Sequence, residues 1–120
     1  MRLHTTAMPA AAAFLLAMNH AAMAASSCDG VYRGTGYAAQ AGDTVEGPME
    51  ITITDGQVKG WRVAPNTRQK YQITGTAGPD CTVDLIVEIS AGRFPTHGNP
   101  TNGKGNAPNG RRFYYELTKQ

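Results

Sequence analysis

Met49-Glu50-Ile51-Thr52-Ile53-Thr54-Asp55-Gly56-Gln57-Val58-Lys59-Gly60-Trp61-Arg62-Val63 is the stretch on which the fold is decided. Its first six residues alternate apolar and polar, the period of a strand with one buried face. Asp55-Gly56 then predicts a two-residue type I′ hairpin, whose central residues both need positive φ. Met49, Ile51 and Ile53 are expected in the core, and Glu50, Thr52 and Thr54 in water. On the return strand, Lys59, Trp61 and Val63 share one side, and Val58, Gly60 and Arg62 the other. The first set is the more apolar and is assigned inward, with the Lys59 stem lying along apolar surface.

The same grammar runs outward in both directions. Val31 to Ala39 reads as a strand with Gly34 and Gly36 on one face, a sign of a bend or of close approach by another segment. Pro65-Asn66-Thr67 reads as a turn. Lys70 to Thr76 reads as a strand with Tyr71 and Ile73 inward, and Ala77-Gly78-Pro79-Asp80 as another turn. Cys81, Val83, Leu85, Val87 and Ile89 form the strongest inward stripe. From about 91 to 111 the chain is rich in Gly, Asn and Pro and poor in hydrophobes, which predicts a flexible loop. Arg112 to Lys119 resumes alternation, with Phe113, Tyr115 and Leu117 inward. The expectation is an all-β antiparallel meander of about six strands, forming a small barrel or a sandwich. The barrel, with first and last strands adjacent, is preferred because closure removes exposed edges.

The first 24 residues stand apart. Arg2 and His4 precede an apolar stretch from Ala7 to Met18, and Ala22-Met23-Ala24 supplies small residues at −3 and −1 of a cut. That order predicts a signal peptide at 1–24, with cleavage after Ala24 or Ala25, and one domain at 25–120. The chain is thereby expected in the periplasm or outside the cell. No segment of the mature chain is long and apolar enough to span a membrane as a helix. Cys28 and Cys81 are the only cysteines. In an exported chain the pair reads as a disulfide closing a loop of roughly fifty residues, worth about 4 kcal/mol. The alternative is acylation of Cys28 as an envelope anchor, although Ala25 is a poor residue for the −3 position of such a site.

Charge and motif exclude several function classes. Eleven Lys and Arg, Arg2 among them, face nine Asp and Glu, so no basic surface for nucleic acid is indicated. Metal ligands are too few for a site, since His97 is the only histidine beyond the leader. Ser26, Ser27 and Ser90 lie in no nucleophile elbow. Asp84 and Glu88 share a strand face at a separation of roughly 13 Å, too far apart for paired-carboxylate chemistry. No cofactor motif is present.

Binding features remain. Tyr32 or Tyr37, with Tyr114, offers outward aromatics. Arg62, Arg68 and Lys70 flank the 64–68 turn, and Arg93, Lys104, Arg111 and Arg112 surround the long loop. The candidate surface is Trp61, Arg62, Arg68, Arg112, Tyr114 and His97, and the partner an unknown protein, glycan or small molecule. The function expected is that of a non-catalytic exported binding domain. Two alternatives stand beside it: a small hydrolase using acidic residues and His97, and an envelope component anchored through Cys28.

Cys28-Asp29-Gly30-Val31-Tyr32-Arg33-Gly34-Thr35-Gly36, followed by Asp55-Gly56-Gln57-Val58-Lys59-Gly60, resembles small exported bacterial β-domain proteins of uncharacterised function. The resemblance covers about a third of the chain. It implies export and a β-fold, and carries no functional residues across.

Overall fold

The computed structural model describes residues 28–40, 42–64, 68–89, 92–107 and 110–120. The expected leader, the 65–67 turn and all three serines lie outside them. Among the described residues there are eight strands: β1 (Gly30–Gln40), β2 (Asp43–Thr54), β3 (Gln57–Ala64), β4 (Gln69–Ala77), β5 (Val83–Ile89), β6 (Gly92–Gly98), β7 (Asn102–Asn106) and β8 (Arg112–Lys119). Each pairs antiparallel with the next, and β8 pairs with β1, so the meander closes into a barrel.

The hairpin is as expected. Asp55 and Gly56 both have positive φ, 50° and 78°, and Ile53 lies opposite Val58. That register corrects the assignment of β3. Ile53 points inward, so its partner Val58 must as well, and Gly60 and Arg62 follow it. Trp61 stands outside, half-buried, with the Lys70 ammonium 4.5 Å from its ring centroid. The larger apolar area of the Trp61 face did not decide the matter; the two-residue turn did.

β6 and β7 lie where a loop was expected, which raises the strand count from six to eight. Their hydrophobes are few because the inward positions of β7 must be small. A Cβ on Gly103 would overlap the ring of Tyr115. Gly60 is inward for a different reason. A Cβ there would overlap the carbonyl oxygen of Glu50 and crowd Cα of Ile51, because β2 folds tightly over β3. Such glycines turn the corners of a small barrel.

One circuit of paired residues fixes the barrel's dimensions. Starting at Glu46 on β2, the partners are Tyr37, Tyr114, Lys104, His97, Asp84, Thr76 and Gln57, and then Thr54, again on β2. Glu46 and Thr54 are eight residues apart. Eight strands with a shear of eight have a tilt of about 36° and an interior that side chains fill. Met49, Ile51, Ile53, Val58, Ile73, Val83, Leu85, Val87, Phe94, Phe113, Tyr115 and Leu117 fill it. The outward face carries Thr, Glu, Gln, Lys, Arg and Asn. This is the reverse of a membrane-spanning barrel, whose outward face is apolar. Among the described residues no helix is long and apolar enough to cross a membrane.

One end of the barrel is closed by specific bonds. Cys28 and Cys81 form the expected disulfide, with Cα atoms 5.5 Å apart, so the Cys28 sulfur is not free for acylation. The Tyr32 hydroxyl donates to the Cys28 carbonyl at 3.0 Å, and Asp29 accepts the Asp55 backbone N–H at 3.0 Å. The Tyr115 hydroxyl donates to the Asn99 carbonyl at 2.9 Å.

Burial pushes the Tyr115 phenol up to about 12. The folded state therefore holds this proton more tightly than the unfolded chain, whose tyrosines titrate near 10. The resulting stability is complete below about pH 10 and is lost as the pH rises from about 10 to 12. Urea unfolding across that range should show a falling midpoint, and Tyr115→Phe should flatten the fall.

Candidate functional site

Side chains fill the core, and the larger depressions lie on the outside. The outward row Thr76, Asp84, His97, Lys104, Tyr114 and Tyr37 consists of directly opposed cross-strand neighbours. Opposed residues sit close enough for each side chain to touch the next. This row therefore forms one strip across β4, β5, β6, β7, β8 and β1.

Two pairs within the strip have defined geometry. His97 Nδ1 lies 2.6 Å from Asp84 Oδ1, with both side chains exposed. The contact orients the imidazole and leaves its other nitrogen for a ligand or water. Tyr37 and Tyr114 stack, with centroids 4.7 Å apart and planes 11° from parallel. Tyr114 is 38% exposed, a high value for an aromatic ring. Desolvation, then the charges of Glu116 and Glu46, push the Tyr37 phenol above its ordinary value, so Tyr37 is neutral at physiological pH.

Three depressions adjoin the strip and share Lys104. The first, about 400 Å³, has Ile86 and Pro95 along it and Asp84, His97 and Lys104 at its edge. The second, about 580 Å³, lies among Thr44, Asn106, Arg112 and Tyr114. The third, about 550 Å³, lies among His97, Asn102, Tyr114 and Glu116. The short strand β7 borders all three. It pairs with β6 at only two positions, and its inward glycines give it little bulk.

The residues expected to form a binding surface divide into three groups. His97 and Tyr114 come together in this strip, and Arg112 lies beside it, in the second depression with Tyr114. Trp61 and Arg68 do not: β3 stands four strands from β7 in the ring of eight, on the opposite side. Arg68 is exposed in the turn between β3 and β4, at φ 58°, with its N–H donating to the Ala64 carbonyl at 2.8 Å. Arg62 is not on the surface at all, being 3% exposed inside the barrel. Of the two tyrosines weighed as outward, Tyr37 is outward and Tyr32 is core.

No family model matches the chain, and neither curated proteins nor solved structures give a match. The site is therefore read from its own residues. Asn102, Asn106, Glu116 and Ile86 are among the members that the sequence reading missed. The signal for Ile86 was present, as the one apolar residue breaking the polar face of β5. Asn102 and Asn106 were hidden by the assignment of their segment to a loop. Among the described residues there is no group of three or more His, Cys, Asp or Glu placed to hold a metal ion.

Proposed function

We propose that the mature chain is a non-catalytic binding domain of the periplasm or cell exterior, and that it holds an oligosaccharide against the outer strip centred on Lys104. The observation that carries this reading is exposed Tyr114, stacked on half-buried Tyr37, beside depressions rimmed by amide, hydroxyl and ammonium groups. A sugar ring has an apolar C–H face and a rim of hydroxyls. Tyr114 offers the first a flat partner, and Asn102, Asn106, Lys104 and Glu116 offer the second donors and acceptors. Shallow sites combining apolar surface with a few convergent polar groups suit such ligands. The disulfide supports an oxidising location, where such bonds persist. The Asp84–His97 pair serves here as an oriented polar contact.

Titrating the ¹⁵N-labelled mature protein with soluble envelope polysaccharide fragments tests the reading. Amide shifts are expected at Asn102, Lys104, Asn106 and Tyr114. Tyr114→Ala is expected to weaken binding at least tenfold and leave the melting temperature within about 2 °C, since surface changes cost little stability. Shifts confined to the Trp61 side, or none with any fragment, would contradict it. Binding to an envelope protein alone, through the same residues, would retain the surface and replace the ligand class.

A further inference from the structure

The second depression, beside Tyr114, carries a charge pattern of its own. Lys104 and Arg112 both line it, both are exposed, and no carboxylate is among its described lining residues. The ion pairs among the described residues are Arg33–Glu50, Arg93–Glu88 and His97–Asp84, so neither cation is held in one. The register explains why. Arg112 lies opposite Asn106 on β7 and Ala39 on β1, both uncharged. Lys104 lies opposite Tyr114 on β8 and His97 on β6, and Asp84 is already engaged by His97.

The two cations stand where they can act together. They are diagonal neighbours across β7 and β8, about 7–8 Å apart, a gap that two long side chains can close onto one group. Ala39 and Gly105, which also line the depression, present at most a methyl group and leave its 580 Å³ open. The other side of Tyr114 differs. Glu116 stands two residues along β8, opposite Asn102, and lines the third depression. Tyr114 therefore separates a cationic depression from one that carries a carboxylate.

We infer that the second depression takes the carboxylate of an acidic sugar, a uronic acid residue, while the ring of that residue lies on Tyr114. This assignment rests on the reading of the strip as an oligosaccharide site and names the class of sugar it holds. Arg112 is about 7 Å along β8 from Tyr114. A carboxyl group borne directly on a ring seated there comes within reach of the guanidinium, whose fork fits two coplanar oxygens. Lys104 adds a second positive charge, and Asn106 and Thr44 offer the neighbouring sugar hydroxyls donors and acceptors.

Two acidic probes test the assignment: a galacturonate trimer, and a tetramer alternating glucuronate with N-acetylglucosamine. Each is titrated into the ¹⁵N-labelled mature protein beside its carboxyl-reduced counterpart, at neutral pH and constant low ionic strength, where exposed charges are least screened. At least one acidic probe should bind about fivefold or more tightly than its counterpart, with amide shifts at Asn106 and Arg112. Arg112→Gln should bring that ratio below about twofold, and Arg112→Lys should keep part of it. Lys70→Gln removes the same charge from β4, four strands from β8, and should leave the ratio as it is. Equal binding of acid and counterpart, with shifts at Tyr114, would overturn the carboxylate assignment and leave the oligosaccharide reading standing. An equal fall in Lys70→Gln would mark a general attraction of charge and overturn it too. So would the absence of binding by every probe, and the titration with envelope polysaccharide fragments then judges the oligosaccharide reading separately.

Discussion

Replacing both Cys28 and Cys81 by alanine is expected to lower the unfolding free energy by about 4 kcal/mol. The bond joins residues 53 apart in sequence, so its loss frees a long loop in the unfolded chain. Cys28 is also 1% exposed, and the Tyr32 hydroxyl is bonded to its carbonyl. Loosening that residue therefore unsettles the closed end of the barrel as well. Small domains hold about 5–15 kcal/mol in all. The double variant should consequently unfold at a urea concentration roughly 2–4 M lower than the oxidised protein, at neutral pH and 25 °C. An unchanged midpoint would mean that the barrel carries its stability without the pin.

Gly60→Val should cost about 3 kcal/mol or more, at the upper end of what overpacking does. The added Cβ meets backbone, the Glu50 carbonyl and Ile51 Cα, which cannot rotate away as a side chain would. Relief requires β2 and β3 to part, with loss of ladder bonds beside Trp61. Thr52→Val provides the comparison, because residue 52 lies on the outward face of the same hairpin and should shift stability by no more than about 0.5 kcal/mol. Equal effects of the two substitutions in chemical denaturation would contradict the inward placement of Gly60.

Much of this architecture can be read from residue order, and the misreadings have physical causes. The Asp55-Gly56 turn, the inward Met49-Ile51-Ile53 face, the apolar stripe of β5 and the alternation of β8 follow from period and turn chemistry alone. The face of β3 was misread because apolar area favoured Trp61, although a two-residue turn forces Val58 onto the face of Ile53. Arg62 went unrecognised as an interior residue because arginine is so seldom buried. The β6–β7 hairpin is hidden in the sequence because a composition of Gly, Asn and Pro with few hydrophobes is also that of a loop. In a barrel this narrow, glycine is what an inward position needs at Gly98 and Gly103. The outer strip was half legible: Tyr114, Arg112 and His97 were singled out, but only the register places Tyr114 and His97 in one row with Lys104 and Asp84, and Arg112 beside that row.

The central claim is a closed barrel whose interior is filled from the Arg62 face of β3, leaving ligands to the outside. Nuclear Overhauser contacts in the mature protein test it most directly. The account predicts backbone contacts between Gly34 and Leu117 across β1 and β8, together with contacts from the Arg62 side chain to the Phe113 ring. A Trp61 ring in contact with Ile51 and Phe113, with no contacts between β1 and β8, would contradict both the register and the closure.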